Sequence, residues 1–230
     1  MIANTKTDKH EIKPGDIEME IAARLRALGT TAAAEVRSLR REFSRRVAHL
    51  PDSFVLQLAL LLLKRPEFSR RFIAYELVQH HKAAMRSLQA KTLVQLGRGL
   101  DSWAAVDTFA CYLAGPAWRE RQVADQLIHR WARSKDRWWR RAALVSTVPL
   151  NNKARGGSGD TRRTLQVCEM LVNDRDDMVV KALSWSLRAL AVRDPMSVAE
   201  FLSEHQTTLA PRVLREVRNK LRTGLKNPRK

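Results

Sequence analysis

Cysteine is scarce in this chain: two residues, Cys111 and Cys168, among 230. Two thiols cannot build a disulfide scaffold or a four-ligand zinc site, so they read as small buried apolar residues of a reducing compartment. Glycine and proline are also few, nine and eight. An all-β fold needs many turns, so this scarcity favours long helices with short joints. No apolar run approaches the ~20 residues of a membrane span; the longest is Leu58 to Leu63. The first 16 residues mix charges without an apolar segment, which argues against a secretory leader. These absences together lead to the expectation of a cytoplasmic protein.

Motifs that carry metal or nucleotide chemistry are missing as well. The sequence holds no C-x-x-C, H-x-x-x-H or H-E-x-x-H, and no G-x-x-x-x-G-K-[ST], G-x-G-x-x-G or G-x-S-x-G. His80 and His81 are adjacent, so on a helix they point about 100° apart and cannot readily chelate one ion. His49, His129 and His205 read as exposed or satisfied, not catalytic. No metal and no cofactor is expected.

Positive charge is what the chain has in excess. Lys and Arg number 42 against 24 Asp and Glu, a net +18 with a pI near 10.9. Such a charge destabilises a compact state by self-repulsion and points to a polyanionic partner. The excess is spread over both halves, as expected of a scaffold that cradles nucleic acid along its length. Hydrophobic residues make up 44%, enough for a substantial core.

The apolar spacing is helical nearly throughout, with no sustained period of two. Residues 1–15 read as a flexible N-terminal arm ending at Pro14-Gly15, and 16–230 as one domain. Ile17, Ile21, Leu25 and Leu28 form a stripe stopped by Gly29. Thr30 or Thr31 then caps a helix bearing Val36, Leu39, Phe43 and Val47. Further helices are expected over 51–64, 66–82, 85–96, 101–114 (stopped by Gly115-Pro116), 118–132, 136–148, 161–172, 177–192, 194–205 and 211–222. The stretch 151–159, rich in Gly, reads as a flexible loop. About a dozen helices grouped in pairs of 35–40 residues match HEAT-type repeats. The expected fold is all-α: a curved α-solenoid of about six helix pairs with a basic concave face. Candidates for that face are Arg37, Arg40, Arg41, Arg45 and Arg46, then Arg70 and Arg71, then Arg137, Arg140 and Arg141, then Arg188 and Arg193.

Tryptophan is over-used, with six residues. Trp118 and Trp131 read as packing between repeats. The other four lie in three motifs. Ser102-Trp103 is followed by Asp107 and Gly115; Trp103 and Asp107 are spaced i,i+4 and share a helix face. Trp138-Trp139-Arg140-Arg141-Ala142-Ala143 forms the second. The third is Lys181-Ala182-Leu183-Ser184-Trp185-Ser186-Leu187-Arg188, followed by Asp194-Pro195. In order and spacing, over about residues 30–222, the set resembles the AlkD-like DNA alkylation-repair glycosylases. The stretch 151–159 and the N-terminal region depart from that pattern.

The resemblance implies a helical solenoid that excises cationic N3- and N7-alkylated purines from double-stranded DNA, as a monomer at the bacterial nucleoid, without metal or cofactor. It places Trp103, Asp107, Arg141 and Trp185 at active-site positions. Asp107 would stabilise the oxocarbenium sugar, Trp103 and Trp185 would hold the backbone, and Arg141 would anchor a phosphate. Arg137, Trp139, Arg140, Lys181 and Arg188 are the remaining candidate DNA contacts. Three alternatives stand beside this: a relative that binds damaged or branched DNA without cleaving it, a HEAT-repeat protein scaffold, which leaves +18 unexplained, and an RNA binder, which lacks any RNP or KH motif.

Overall fold

The computed structural model describes residues 12–29 and 32–228, and among them there is no β-strand. Six helix pairs follow one another. The first is α1 (Pro14–Leu28) with α2 (Ala33–Val47), and the second α3 (Asp52–Leu62) with α4 (Phe68–His80). In the third, two short helices, α5 (Lys82–Arg86) and α6 (Ala90–Leu96), precede α7 (Trp103–Phe109). That helix runs on through a π turn (Ala110–Ala114) into α8 (Gly115–Arg119). The fourth pair is α9 (Asp125–Ala132) and α10 (Arg137–Val145); the short α11 (Val148–Asn151) then leads into α12 (Thr161–Glu169) and α13 (Asp177–Leu190). The last is α14 (Pro195–Glu204) with α15 (Pro211–Thr223).

The second helices of the pairs, α2, α4, α7, α10, α13 and α15, pack in succession and make one layer, and their partners cover it from outside. This is the architecture of an α-solenoid. The starts of the later helices are fixed chemically. Asp136, Asp160, Asp176 and Asp194 each accept a hydrogen bond from a backbone N–H in the first turn that follows, at 2.8–3.0 Å. Such caps satisfy orphan donors and stabilise each helix start by about 1 kcal/mol.

Several local expectations are corrected. Residues 1–11, most of the expected arm, and Thr30 and Thr31, the expected caps, lie outside the described residues. Pro14-Gly15 does not end an arm but opens α1, because a proline in the first turn has no N–H to leave unpaired. The expected helix 85–96 is broken between Arg86 and Ala90. The expected helix 118–132 is also interrupted: the chain turns at Arg121, with φ 61°, between α8 and α9.

Gly115-Pro116 does not stop its helix. Pro116 cannot donate to the carbonyl four residues back, and the helix absorbs the defect by widening: the Gly115 N–H donates to Ala110, five residues back. Gly115 is required there, since a Cβ would lie 2.7 Å from both Pro149 Cγ and the Ser146 carbonyl.

The stretch 151–159 is not a loose loop. Buried Asn151 donates to the Thr147 carbonyl and the Thr164 hydroxyl and accepts from the Asp160 N–H. Arg193 donates to the carbonyls of Asn151 and Gly157.

The expected arginine face is corrected in part. Arg40, Arg70 and Arg71 are buried. Arg40 pairs with Glu76 at 2.7 Å, Arg70 with Glu18 and Glu67, and Arg71 with Tyr75 and the carbonyls of Arg98 and Gly99. Arg46 pairs with Glu20 and so fastens α2 to α1. These arginines hold the repeats together; the groove takes its charge from others, described next.

Candidate functional site

Ser102 caps α7 by accepting the Ala105 N–H. This sets Trp103 in the first turn, 58% exposed, and Asp107 one turn further along the same face. Asp107 is met from α10 by Arg141. The guanidinium donates Nε–H to Oδ1 at 2.9 Å and Nη2–H to Oδ2 at 2.8 Å, a bidentate fork. Its Nη1–H goes to the Met178 carbonyl at the start of α13, at 2.5 Å. One buried arginine thus joins three successive helices of the inner layer and fixes the carboxylate between them.

Burial pushes the Asp107 carboxyl above the ordinary carboxylate range, and the hydrogen bonds and charge of Arg141 oppose that rise. The carboxylate keeps 18% of its surface open, against 6% for the guanidinium. Two of its roughly four acceptor positions are used by Arg141, leaving the rest available. Cys111, one turn on, is buried, and its thiol is pushed up to about 12, so it is inert.

Along α13 the open stripe continues from Met178 through Lys181 and Trp185 to Arg188, at the three- and four-residue spacing of one helix face. Trp185 and Arg188 line a cavity of about 530 Å³ with Lys153, Arg193, Lys220 and Lys226. A second basin of about 460 Å³ holds Arg37, His80, Tyr112 and Arg155, and shares Asn152 and Ala154 with the first. Arg155 stacks over the Tyr112 ring at 5.3 Å. The two basins adjoin at Asn152 and Ala154 and make up a mainly cationic groove; Glu76 lines the second, and Glu216 pairs with Lys226 at 3.4 Å and approaches Arg188 at 4.0 Å in the first.

Trp103, Asp107 and Arg141 are therefore brought together, and Lys181, Trp185 and Arg188 lie along one adjoining helix. The remaining candidates sit elsewhere. Arg140 is engaged by Asp174 at 2.6 Å and by the carbonyls of Ser134 and Lys135. Arg137 is exposed, lies over the Trp138 ring at 4.8 Å and approaches Asp176 at 3.5 Å. Trp139 is two residues from Arg141, hence about 200° around the helix, and packs against Trp131 and Phe109. Trp118 is fully buried, as expected of a packing residue, and donates to Asp125.

Tyr112, Lys153, Arg155, Lys220 and Lys226 were not legible as groove residues. Lys153 and Arg155 fall in the stretch read as a loop, and Tyr112 lies within the π turn. The only signal for the two lysines was the basic C-terminal segment. Among the described residues no three His, Cys, Asp or Glu side chains converge on a possible metal position, and no helix is long and apolar enough to cross a membrane.

The sequence model of one family, described as DNA alkylation repair enzyme, matches residues 18–221. No curated protein matches the chain.

Proposed function

Because the chain belongs to the DNA alkylation repair enzyme family, we propose that it is a DNA glycosylase acting on cationic N3- and N7-alkylated purines. It would work as a monomer on nucleoid DNA in the bacterial cytoplasm. Alkylation makes the purine a cation and so an activated leaving group. The C1′–N bond breaks, its electron pair neutralises the base, and positive charge develops on the deoxyribose. Asp107 stabilises that oxocarbenium charge. Water adds at C1′ and loses a proton, leaving an abasic site. No acid is needed to protonate the base on departure, in keeping with a site built around one carboxylate.

The observation that carries this reading is the held carboxylate: Asp107 is fixed through both its oxygens by Arg141, partly open, one turn from an exposed indole. Fixed charge costs no reorganisation as the transition state forms. Trp103 stacks on the sugar-phosphate backbone, and Trp185 holds it from α13. Phosphates lie on Arg188, Lys220, Lys226 and Arg155. Arg141 is a positioning residue for Asp107 in this scheme, since three of its five N–H donors are already engaged within the protein.

A second reading, binding without cleavage, draws on the same pair: Arg141 already compensates the Asp107 charge. Incubation with a duplex holding one 7-methylguanine, followed by alkaline cleavage of abasic sites, separates the two. Strand scission supports the glycosylase; retention of an intact duplex supports the binder.

A further inference from the structure

On the far side of α10 from Arg141, between α6, α9 and the first turn of α10, lies a cleft of about 860 Å³. Its floor is aromatic. The rings of Trp131 and Trp139 meet at 4.9 Å between centroids, tilted by 42°. Trp139 is seated there because residue 97 is glycine; a Cβ would come within 2.4 Å of the ring. The rim is cationic: Lys91, Arg98, Arg130 and Arg133 line the cleft and are all exposed.

None of these four side chains forms an ion pair or side-chain hydrogen bond with a described residue. That sets them apart from Arg40, Arg70, Arg140 and Arg141, each of which is engaged by a carboxylate. Four unpartnered cations around one aromatic floor raise the self-repulsion of a chain that already carries +18. They have no structural task to offset it.

We infer that this cleft binds single-stranded nucleic acid, with one base stacked on Trp139 and the flanking phosphates on Lys91, Arg98, Arg130 and Arg133. A cationic rim over an aromatic platform is the arrangement that tracks unpaired strands, because every base has a π face to offer. A duplex keeps those faces stacked inside and cannot use the floor. Arginine supplies three of the four cations, and its planar fork fits phosphate oxygens. Trp139 and Trp103 both lie in the first turns of neighbouring inner helices. The inference stands whether or not the chain cleaves a glycosidic bond.

The test is titration of the protein with an eight-residue oligothymidylate, read by tryptophan fluorescence and by anisotropy of a labelled strand. Wild type is compared with the double variant Arg130→Glu, Arg133→Glu and with Trp139→Phe. The double variant alters exposed, unpaired residues, so its fold is kept. Its affinity for the oligothymidylate should fall by at least about tenfold, while duplex affinity and release of 7-methylguanine stay within about twofold. Trp139→Phe should lose the fluorescence quenching. Unchanged oligothymidylate affinity in the double variant overturns the inference. Equal losses for duplex and single strand also overturn it, since the rim would then be part of the duplex surface. So does binding of an acidic peptide ending in phenylalanine with none of the oligothymidylate. A wild type that binds oligothymidylate through this cleft but releases no base leaves the inference intact and removes only the glycosylase reading.

Discussion

Arg141 and Asp107, 34 residues apart, lie side by side with both carboxylate oxygens on the guanidinium fork, at 2.9 and 2.8 Å. The same arginine reaches Met178, so the pair is at once the joint of α7, α10 and α13 and the support of the candidate catalytic group. This changes what substitutions there mean. Asp107→Asn looks from sequence like an isosteric change that removes only charge. In the structure it also leaves a buried guanidinium facing an amide that can accept only one of its two hydrogen bonds.

Arg141→Ala should lower the stability of the folded chain by about 3 kcal/mol, because it strands a largely buried carboxylate. Chemical denaturation of wild type and variant measures this. Arg141→Lys should recover part of the loss, since lysine restores the charge but not the fork. Loss of duplex affinity with unchanged stability would return Arg141 to the role of phosphate anchor.

The Asp107 carboxyl is pushed upward by burial, so the acid limb of the excision profile should fall at a pH above the ordinary carboxylate range. Stability should move the other way for this group. Its folded-state value exceeds the unfolded one, so the folded chain takes up the proton first. The Asp107 contribution to stability then rises as pH falls through that raised value and is lost as pH rises through it. Excision rates and denaturation midpoints across the same buffers, with Asp107→Asn as reference, check both signs.

Gly115→Ala should destabilise by about 1–3 kcal/mol, the usual cost of overpacking. The added methyl meets Pro149 and the Ser146 carbonyl, neither of which is the free end of a flexible side chain. Thermal melts test it; an unshifted midpoint would show that α8 and α11 can move apart without penalty.

Duplex binding should weaken steeply with salt. If about six to eight phosphates are neutralised, log K should fall against log[salt] with a slope of about −5 to −7. Filter-binding or anisotropy titrations at several salt concentrations provide the slope. Removing Lys220 and Lys226 together should make it shallower by about 2.

The helical class, the pairing of helices and the Trp103–Asp107 face were legible because each depends on local spacing that a helix converts directly into geometry. The partner of Asp107 was legible only as a motif. Nothing near Arg141 says that its fork turns inward, because that depends on Met178, a turn into the next repeat. Burial of Arg70 and Arg71 was hidden for the same reason: their partners Glu18, Arg98 and Gly99 are 27 to 52 residues away. Pro116 looked like a stop, and only packing shows that a π turn carries the helix past it. The loop 151–159 read as loose from its glycines, yet Asn151 and Arg193 hold it in place across repeats.

Single-turnover release of 7-methylguanine from a duplex, measured on wild type and Asp107→Asn with stability recorded alongside, tests the central claim most directly. The account predicts release by wild type and a rate lower by ~10²–10³ in the variant, the effect of removing a preorganised charge at the developing cation, at temperatures where both proteins are folded. Equal rates in the two proteins, or no release by wild type, would contradict it.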